Sequence, residues 1–413
     1  MKIIIAHYKY YVQGGPERYM FKFMELAKMN GHEVIPFSVN YPTNVETEYS
    51  KYFVGDKNAG GNYDSSNHSI SYLIKNVYHE FHNKQAYKNL RKLIRDTKAD
   101  LLYCLIPGQL TTDIFKAAHD EGIKVILRIS DFRLICGKYS MVRDDCVCEE
   151  CLNGRYKNCI KHRCVKNSKA LSRLRAMSLK YNRKHNKYKY VDAVITPPEF
   201  TKNLLIKDGI FTPEKVFVNP TFIDSDKINV SCQHENYLLC LGRFSPEKGF
   251  QYAIEALKFI SNKSIKLKIT GSKENLDEKT IKIIDNNNLS DRIEFVGFLH
   301  GKELEEMISH CYAVIQPAVW YENLPNTIIE AFAYGKPVIA SRIGSLEEMV
   351  ADGITGYLFE PKNSIELAKK IELIFSDIDL YNQLCKNARF ECETKYSKIK
   401  HWDTFMEIFN KIK

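Results

Sequence analysis

The chain has 413 residues, 44% apolar and 27% charged: too long for one compact core and too apolar for a disordered chain, so two or three globular domains are expected. Its 60 Lys and Arg against 50 Asp and Glu leave a net charge of +10, modest for this size, so where the charge sits matters more than its sum. No apolar run approaches the roughly 18 residues of a membrane span, and the N-terminal MKIIIAHYKYY has neither the apolar core nor the cleavage site of a secretory signal. These features exclude a transmembrane protein, a secreted disulfide scaffold and a fibrous protein. The expected location is the cytoplasm, where the twelve cysteines are thiols or metal ligands.

Along the chain, short β-rich apolar runs alternate with helical patterns. Strands are predicted at 2–7, 33–39, 100–106, 124–129, 193–196 and 216–220, then at 237–243, 266–271, 293–298, 313–317, 337–341 and 357–359. Strands that are apolar on both faces and separated by helices predict parallel sheets covered on both sides. The pattern occurs twice around a polar, unpatterned stretch at 224–236. The expected class is therefore α/β, with two doubly wound Rossmann-like domains at 1–223 and 237–395, a linker at 224–236, and a ligand in a central crevice at the strands' carboxyl ends. Two stretches break the rhythm: 49–71 is polar and predicts a mobile loop, and 136–190 is an insertion with its own chemistry. A helix at 70–94, striped with Leu73, Val77, Phe81 and Leu90, is expected to pack or to line an acceptor entrance. In the terminal segment 396–413, Trp402, Phe405, Met406, Ile408 and Phe409 share one helical face that must be buried.

Three motifs carry chemistry. The densest is WYENLPNTIIEAFAYGKPVIAS at 320–341, where a helix starting near Asn326, read as its N-cap, follows a strand and offers an anion site. Gly335 is placed to end that helix as a left-handed cap. Glu322 in the loop and Glu330 in the helix can each grip a vicinal diol; the plainer alternative is a solvated loop carboxylate and a helix carboxylate paired with a lysine. In LCLGRFSPEKG at 239–249, Arg243 ends a strand and Lys248 follows a turn, so both cations point at the crevice, where a departing diphosphate fits them; two ordinary surface cations are the alternative. In VQGGPERY at 12–19, Gly14 and Gly15 permit close backbone approach before a helix, but the spacing is not a dinucleotide fingerprint.

Together, in this order and over essentially the whole chain, the GG loop, GRxxxEKG and Glu-x7-Glu followed by AxAxGxPV resemble the retaining GT-B glycosyltransferases of family four. The resemblance implies that the terminal helix crosses back to the N-terminal domain. It implies that Arg243 and Lys248 hold the donor diphosphate, that Glu330 binds the ribose hydroxyls, and that Glu322 contacts the transferred sugar. Gly242, Leu324, Pro325, Asn326 and Thr327 would complete the donor site, Phe298 within 296–299 would line the base, and Gly14 and Gly15 would approach phosphates and acceptor. It also implies front-face transfer in which the donor phosphate takes the acceptor's proton. One departure stands out: where the family has a His before Asp, this chain reads ISDF, with Ser130 and then Asp131. A hydroxyl bonds a sugar but carries no proton as imidazole does, which puts the transferred sugar in question. Asp224-Ser225-Asp226 spells the metal-binding Asp-x-Asp of other transferases, yet sits in the linker of an architecture that needs no catalytic divalent metal.

Six cysteines, Cys136, Cys146, Cys148, Cys151, Cys159 and Cys164, fall within 29 residues of the insertion. Cys148-x-x-Cys151 with Cys159 and Cys164 predicts a structural zinc, with Cys136, Cys146 or His162 as substitutes; a cluster of plain thiols is the alternative. From 151 to 191 there is no Asp or Glu but thirteen Lys or Arg. Leu171, Leu174, Met177 and Tyr181 stripe a basic helix there that suits an anionic membrane surface, with a solvated face or nucleic acid as the weaker alternatives. The sequence as a whole therefore points to a peripheral enzyme at the inner face of the plasma membrane. It would move a sugar from a nucleotide-diphosphate sugar, UDP favoured over GDP, to a lipid-linked or glycan acceptor in surface polysaccharide synthesis. No nucleic-acid partner is expected. The rivals are a nucleotide-sugar epimerase on the same fold and a non-catalytic, zinc-stapled membrane anchor.

Overall fold

The computed structural model describes residues 1–55, 77–78, 80–230 and 234–413. They fall into two compact units, one of Met1–Ser140, Glu149–Asn219 and Trp402–Lys413, the other of Met141–Cys148 and Pro220–His401.

In chain order the strands are β1 (Lys2–His7), β2 (Glu33–Phe37), β3 (Leu101–Ile106), β4 (Lys124–Arg128), a hairpin of β5 (Val142–Arg143) and β6 (Cys146–Val147), then β7 (Ala193–Thr196) and β8 (Val216–Val218). The second run is β9 (Tyr237–Cys240), β10 (Lys266–Ile269), β11 (Ile293–Phe295), β12 (Ala313–Gln316), β13 (Val338–Ser341) and β14 (Gly356–Phe359). Each of the twelve strands expected from the sequence is present, most of them trimmed at their ends where the chain turns away.

The first unit's sheet is parallel with order β2-β1-β3-β4-β7-β8, and the second's is parallel with order β11-β10-β9-β12-β13-β14. Interior strands such as β3, buried along its whole length, explain the unbroken apolar runs. The second order is 3-2-1-4-5-6 in local numbering, and it reverses between β9 and β12. The first is 2-1-3-4-5-6 and reverses between β1 and β3. At such a reversal the flanking helices leave on opposite faces and open a crevice at the strands' carboxyl ends.

Four helices matter most here besides α1 (Gly15–Met29). They are α2 (Lys84–Thr97), α3 (Lys169–Lys184), α4 (Asn326–Ala333) and α5 (Lys398–Ile412). On α5, Trp402, Phe405, Ile408 and Phe409 are buried, and the Phe405 ring lies 4.8 Å from Phe23 and 5.1 Å from Tyr103 within the first unit. The expected apolar stripe is thus the helix's docking face, and the chain's end does return to the first unit.

Two expectations are corrected. Residues 56–71 of the expected 49–71 loop lie outside the described residues, but Glu48–Tyr52 is a short 3-10 turn and Val54 bridges Val39. The helix expected at 70–94 is broken, with Leu73 outside the described residues. Asn83 stops it because its side chain accepts the Ala86 N–H at 2.9 Å and caps α2. Of the stripe expected on α3, Leu171 and Met177 are exposed and Leu174 and Tyr181 half-buried, while the helix's buried face is Ser172, Ala176, Ser178 and Leu179.

Candidate functional site

In the second unit, Arg243 and Lys248 follow β9 while Trp320 to Glu322 follow β12, so both motifs sit at the β9/β12 reversal. A 3-10 turn over Pro246–Lys248 ends at Gly249, whose left-handed φ of +70° favours glycine. A Cβ there would lie 1.9 Å from the Pro317 carbonyl oxygen, so the turn and the end of β12 are in direct backbone contact. The Val319 N–H donates to the Glu247 carbonyl at 3.0 Å and ties the two segments again.

This contact brings together residues 74 positions apart: Lys248 Nζ lies 2.6 Å from Glu322 Oε1. The Trp320 indole N–H donates to the same oxygen at 2.9 Å, and Lys248 stands 5.9 Å over the Trp320 ring. The Glu322 backbone is held as well, its carbonyl accepting the Ser345 hydroxyl at 2.8 Å. Glu322 is only 8% exposed, so the alternative of a solvated loop carboxylate is rejected. Arg243 lies exposed beyond β9. Gly242, at φ +133°, donates its N–H to Thr270 Oγ1 at 2.8 Å, which fixes the strand end from the neighbouring β10.

α4 begins one residue earlier than the capping argument expected: Pro325 is the N-cap and Asn326 the first helical residue. Pro325 lacks an N–H, so the chain's turn into the helix comes from its fixed φ rather than from a side-chain cap. Thr327 Oγ1 donates to the buried Gln316 Oε1 at 3.4 Å, and Gln316 Nε2 has no partner among the described residues. Glu330 is half-buried on α4, Leu324 half-buried beside it, and Gly335 takes the left-handed φ of +66° expected of a cap. Phe298 stands 65% exposed after β11.

In the first unit, Gly14 caps α1 and Gly15 opens it. Here the sequence reading missed a buried pair: His7 Nε2 lies 2.9 Å from Glu17 Oε1, and Glu17 Oε2 accepts the Gly14 N–H at 2.8 Å. Burial holds the His7 imidazole below its ordinary value, outweighing the Glu17 bond. Burial pushes the Glu17 carboxyl up, but the His7 and Gly14 bonds outweigh it and hold the group low. The signal was available, since Glu17 sits three residues after Gly14, the spacing of a capping box. Ser130 is half-buried after β4, and Asp131 is clamped by Arg133 through bonds of 2.6 to 3.0 Å.

The zinc expectation is not supported. Among the described residues no group of three or more Cys, His, Asp or Glu is placed to hold a metal. Cys148 groups with the second unit, 3.8 Å from Arg143, whereas Cys151, Cys159 and Cys164 belong to the first. Cys159 is buried, its thiol 3.8 Å from the Ser172 carbonyl and pushed up to about 12 by burial and then by Cys164. With Tyr156, Ala176 and Leu179 it forms a small apolar core, so the insertion has the packing that the metal was invoked to replace. His162 pairs with Glu150 at 2.9 Å. Asp224 and Asp226 are likewise occupied, by Lys398 at 2.7 and 3.2 Å.

Comparison with known proteins places this geometry. Residues 223–390 match the family described as Glycosyl transferases group 1. Across the whole chain, the Anabaena protein HepE in complex with UDP superposes with a TM-score of 0.67 at 15% identity, covering all of both chains. The fold is GT-B. An uncharacterized glycosyltransferase of Methanocaldococcus jannaschii is 27% identical over 227 residues, 54% of this chain and 53% of its own length. The lipopolysaccharide 1,2-N-acetylglucosaminetransferase of Salmonella typhimurium is 28% identical over 237 residues, 52% of this chain and 60% of its own. The chain therefore spans about half the length of the curated relatives it matches. The matched segment 223–390 contains Arg243, Lys248, Trp320, Glu322 and Glu330.

Proposed function

We propose that this GT-B protein is a retaining, family-four glycosyltransferase that moves a sugar from a UDP-sugar, with a GDP-sugar as second choice, to a lipid-linked or polysaccharide acceptor. The observation that carries the proposal is the Lys248–Glu322–Trp320 cluster at the strand-order reversal of the domain matched as Glycosyl transferases group 1. A cation and a carboxylate held against one another suit two parts of one donor. Lys248 and the exposed Arg243 take the diphosphate, the Glu322 carboxylate accepts from the sugar's hydroxyls, and Glu330 accepts from the ribose. The backbone N–H groups of Asn326 and Thr327 at the start of α4 add the positive end of a helix.

As the bond from the anomeric carbon to the diphosphate breaks, negative charge grows on phosphate oxygens next to Lys248 and Arg243. Lys248 is preorganised for it by its bond to Glu322, the kind of stabilisation on which such a step depends. The acceptor hydroxyl attacks from the same face, its proton passes to the departing phosphate, and neither a protein nucleophile nor a divalent metal takes part. The UDP bound by the structural neighbour and the lipopolysaccharide role of the Salmonella relative support donor and acceptor class.

No described helix is long and apolar enough to cross a membrane. On α3, Leu171 and Met177 are exposed among Arg173, Lys180 and Lys184, which supports peripheral attachment to an anionic, cytoplasmic membrane face. The test of the donor site is thermal stabilisation by a panel of nucleoside diphosphates without added metal. UDP is expected to raise the midpoint most, because a ligand selective for the folded state stabilises it. No shift with any of them rejects the proposal.

A further inference from the structure

In the first unit the insertion packs Cys151 and Cys164 around the buried Cys159, and the proposed transfer uses none of them. The short helix Lys157–Lys161 carries Cys159, ends at His162 and turns through Arg163, whose φ of +48° is left-handed. The Arg163 N–H donates to the Ile160 carbonyl at 3.3 Å, and the Cys164 N–H donates to the Cys159 carbonyl at 3.1 Å. These two bonds together define a Schellman cap, a motif that often sets the side chains of its first and last residues against each other. Here both of those residues are cysteines. We infer that Cys159 and Cys164 are a redox-active pair, a modification site that a low-molecular-weight disulfide converts reversibly into an internal disulfide.

The backbone puts the pair within range. A 3.1 Å hydrogen bond between them leaves the two α-carbons at most about 7 Å apart, inside the span a disulfide can bridge. Both residues carry thiols, and their side chains are in hydrogen-bond contact. Cys164 also packs on the small core that Cys159 forms with Tyr156, Ala176 and Leu179, so the two sulfurs share one packed cluster. Arg163 occupies the position that glycine usually takes in this cap. The turn that joins the thiols is therefore maintained against local preference.

Exposure divides the chemistry between the two. Cys164 is half-buried and meets a reagent in solution, whereas Cys159 is fully buried and acts only from inside. The Cys164 sulfur attacks one sulfur of the reagent, the first reagent thiol leaves, and a mixed disulfide remains. The Cys159 sulfur then attacks Cys164 Sγ, and its proton passes to the second departing thiol. Two protein thiols are oxidised, the reagent is reduced to two thiols, and added thiol reverses both steps. The change reaches α3 through Ser172. Its carbonyl accepts from the Cys159 thiol at 3.8 Å and its hydroxyl accepts from the Val165 N–H at 3.0 Å, so one residue in the first turn of α3 holds both sides of the cysteine turn. Closing the disulfide removes the Cys159 proton, and the Ser172 carbonyl loses that donor.

The test treats the reduced full-length protein with oxidised glutathione, blocks the remaining thiols with iodoacetamide, digests with trypsin and identifies the peptides by mass. Cleavage after Lys161 and Arg163 separates the two cysteines, so the disulfide shows as peptides 158–161 and 164–166 joined. The reference is Cys146, an exposed thiol 3.6 Å from the Lys362 ammonium in the second unit. In wild type the joined peptides are expected to exceed the Cys164–glutathione adduct about tenfold or more, because the second thiol is held in contact. Cys146 is expected to stop at its glutathione adduct, and dithiothreitol to restore every thiol. In Cys159→Ser the Cys164 adduct is expected to accumulate, a result that a merely structural Cys159 does not give; the wild-type comparison stands whether or not this variant folds. A Cys164 adduct that persists in wild type, a bond from Cys159 to Cys136 or Cys151 instead, modification of Cys146 alone, or a tightly bound metal ion that shields both thiols in the purified protein overturns the inference.

Discussion

Gly249→Ala is the sharpest perturbation of the candidate donor site, because it touches no proposed ligand-binding side chain. Its added Cβ would lie 1.9 Å from the Pro317 carbonyl oxygen, and real Cβ contacts essentially never fall under 3.0 Å, so the two backbones must separate by about 1.1 Å. That is the distance by which the turn carrying Lys248 has to leave the end of β12, and it stretches a 2.6 Å ion pair to about 3.7 Å, beyond hydrogen-bonding reach. Two costs combine. The left-handed φ of +70° costs an alanine about 1–2 kcal/mol, and overpacking against backbone adds about 1–3 kcal/mol. Gly353→Ala is the control, since Gly353 has φ +75° and a Cβ there meets nothing within 4 Å. The control is expected to lose only the first amount, and for a unit of this size each kcal/mol corresponds to about 2–4 °C in the melting midpoint. Misplacement by about 1 Å is expected to lower turnover of a UDP-sugar about 100-fold in Gly249→Ala and to leave Gly353→Ala active. Differential scanning fluorimetry and a UDP-release assay read both. Equal destabilisation in the two variants with full activity in Gly249→Ala would refute the claim that this backbone contact positions Lys248 on Glu322.

Removing the charges themselves has a different signature. Lys248→Ala is expected to lower kcat about 100- to 1000-fold, and Glu322→Gln to reduce turnover while sparing UDP binding; full donor turnover in either, by the same assay, rejects the assignment. The His7–Glu17 pair predicts an acid-side loss of stability. The His7 value is lowered in the folded state, so its contribution is present above the ordinary 6.5 and is lost as pH falls below that value towards the lowered one. In His7→Gln the melting midpoint should fall less steeply below pH 6.5 than in wild type, and parallel curves would dismiss the pair as the cause. Leu171→Glu with Met177→Glu should abolish sedimentation with phosphatidylglycerol vesicles while leaving UDP stabilisation intact, each basic residue near the surface being worth about 1 kcal/mol. Unchanged sedimentation would place the membrane face elsewhere.

The local features of this chain were legible because they depend on near neighbours. Runs such as KIIIAH and LLYCLI are apolar at successive positions, short and rich in strand formers, as strands covered on both faces are, so twelve strands could be placed one by one. Arg243, Lys248 and Glu322 were visible for the same reason, each lying at a predicted strand end or a few residues past one, where a crevice residue must lie. Partnership was not visible. Trp320 reads as an ordinary aromatic until its indole is found on Glu322, and Arg133 as an ordinary cation until it is found clamping Asp131.

The cysteines show most plainly where sequence stops. Their spacing allows a metal site, but spacing constrains only a chain whose intervening residues have nothing else to bury. Here Tyr156, Ala176 and Leu179 pack around Cys159, and Cys148 departs with a hairpin that groups with the second unit. The order in which strands pair, and with it the two reversals that open crevices at β9/β12 and β1/β3, was also decided only by tertiary structure. Periodicity reports which face of an element is apolar and is blind to which apolar face meets it. The chain by itself determined the elements, the fold class and one cluster of charged residues; packing decided which side chains face each other.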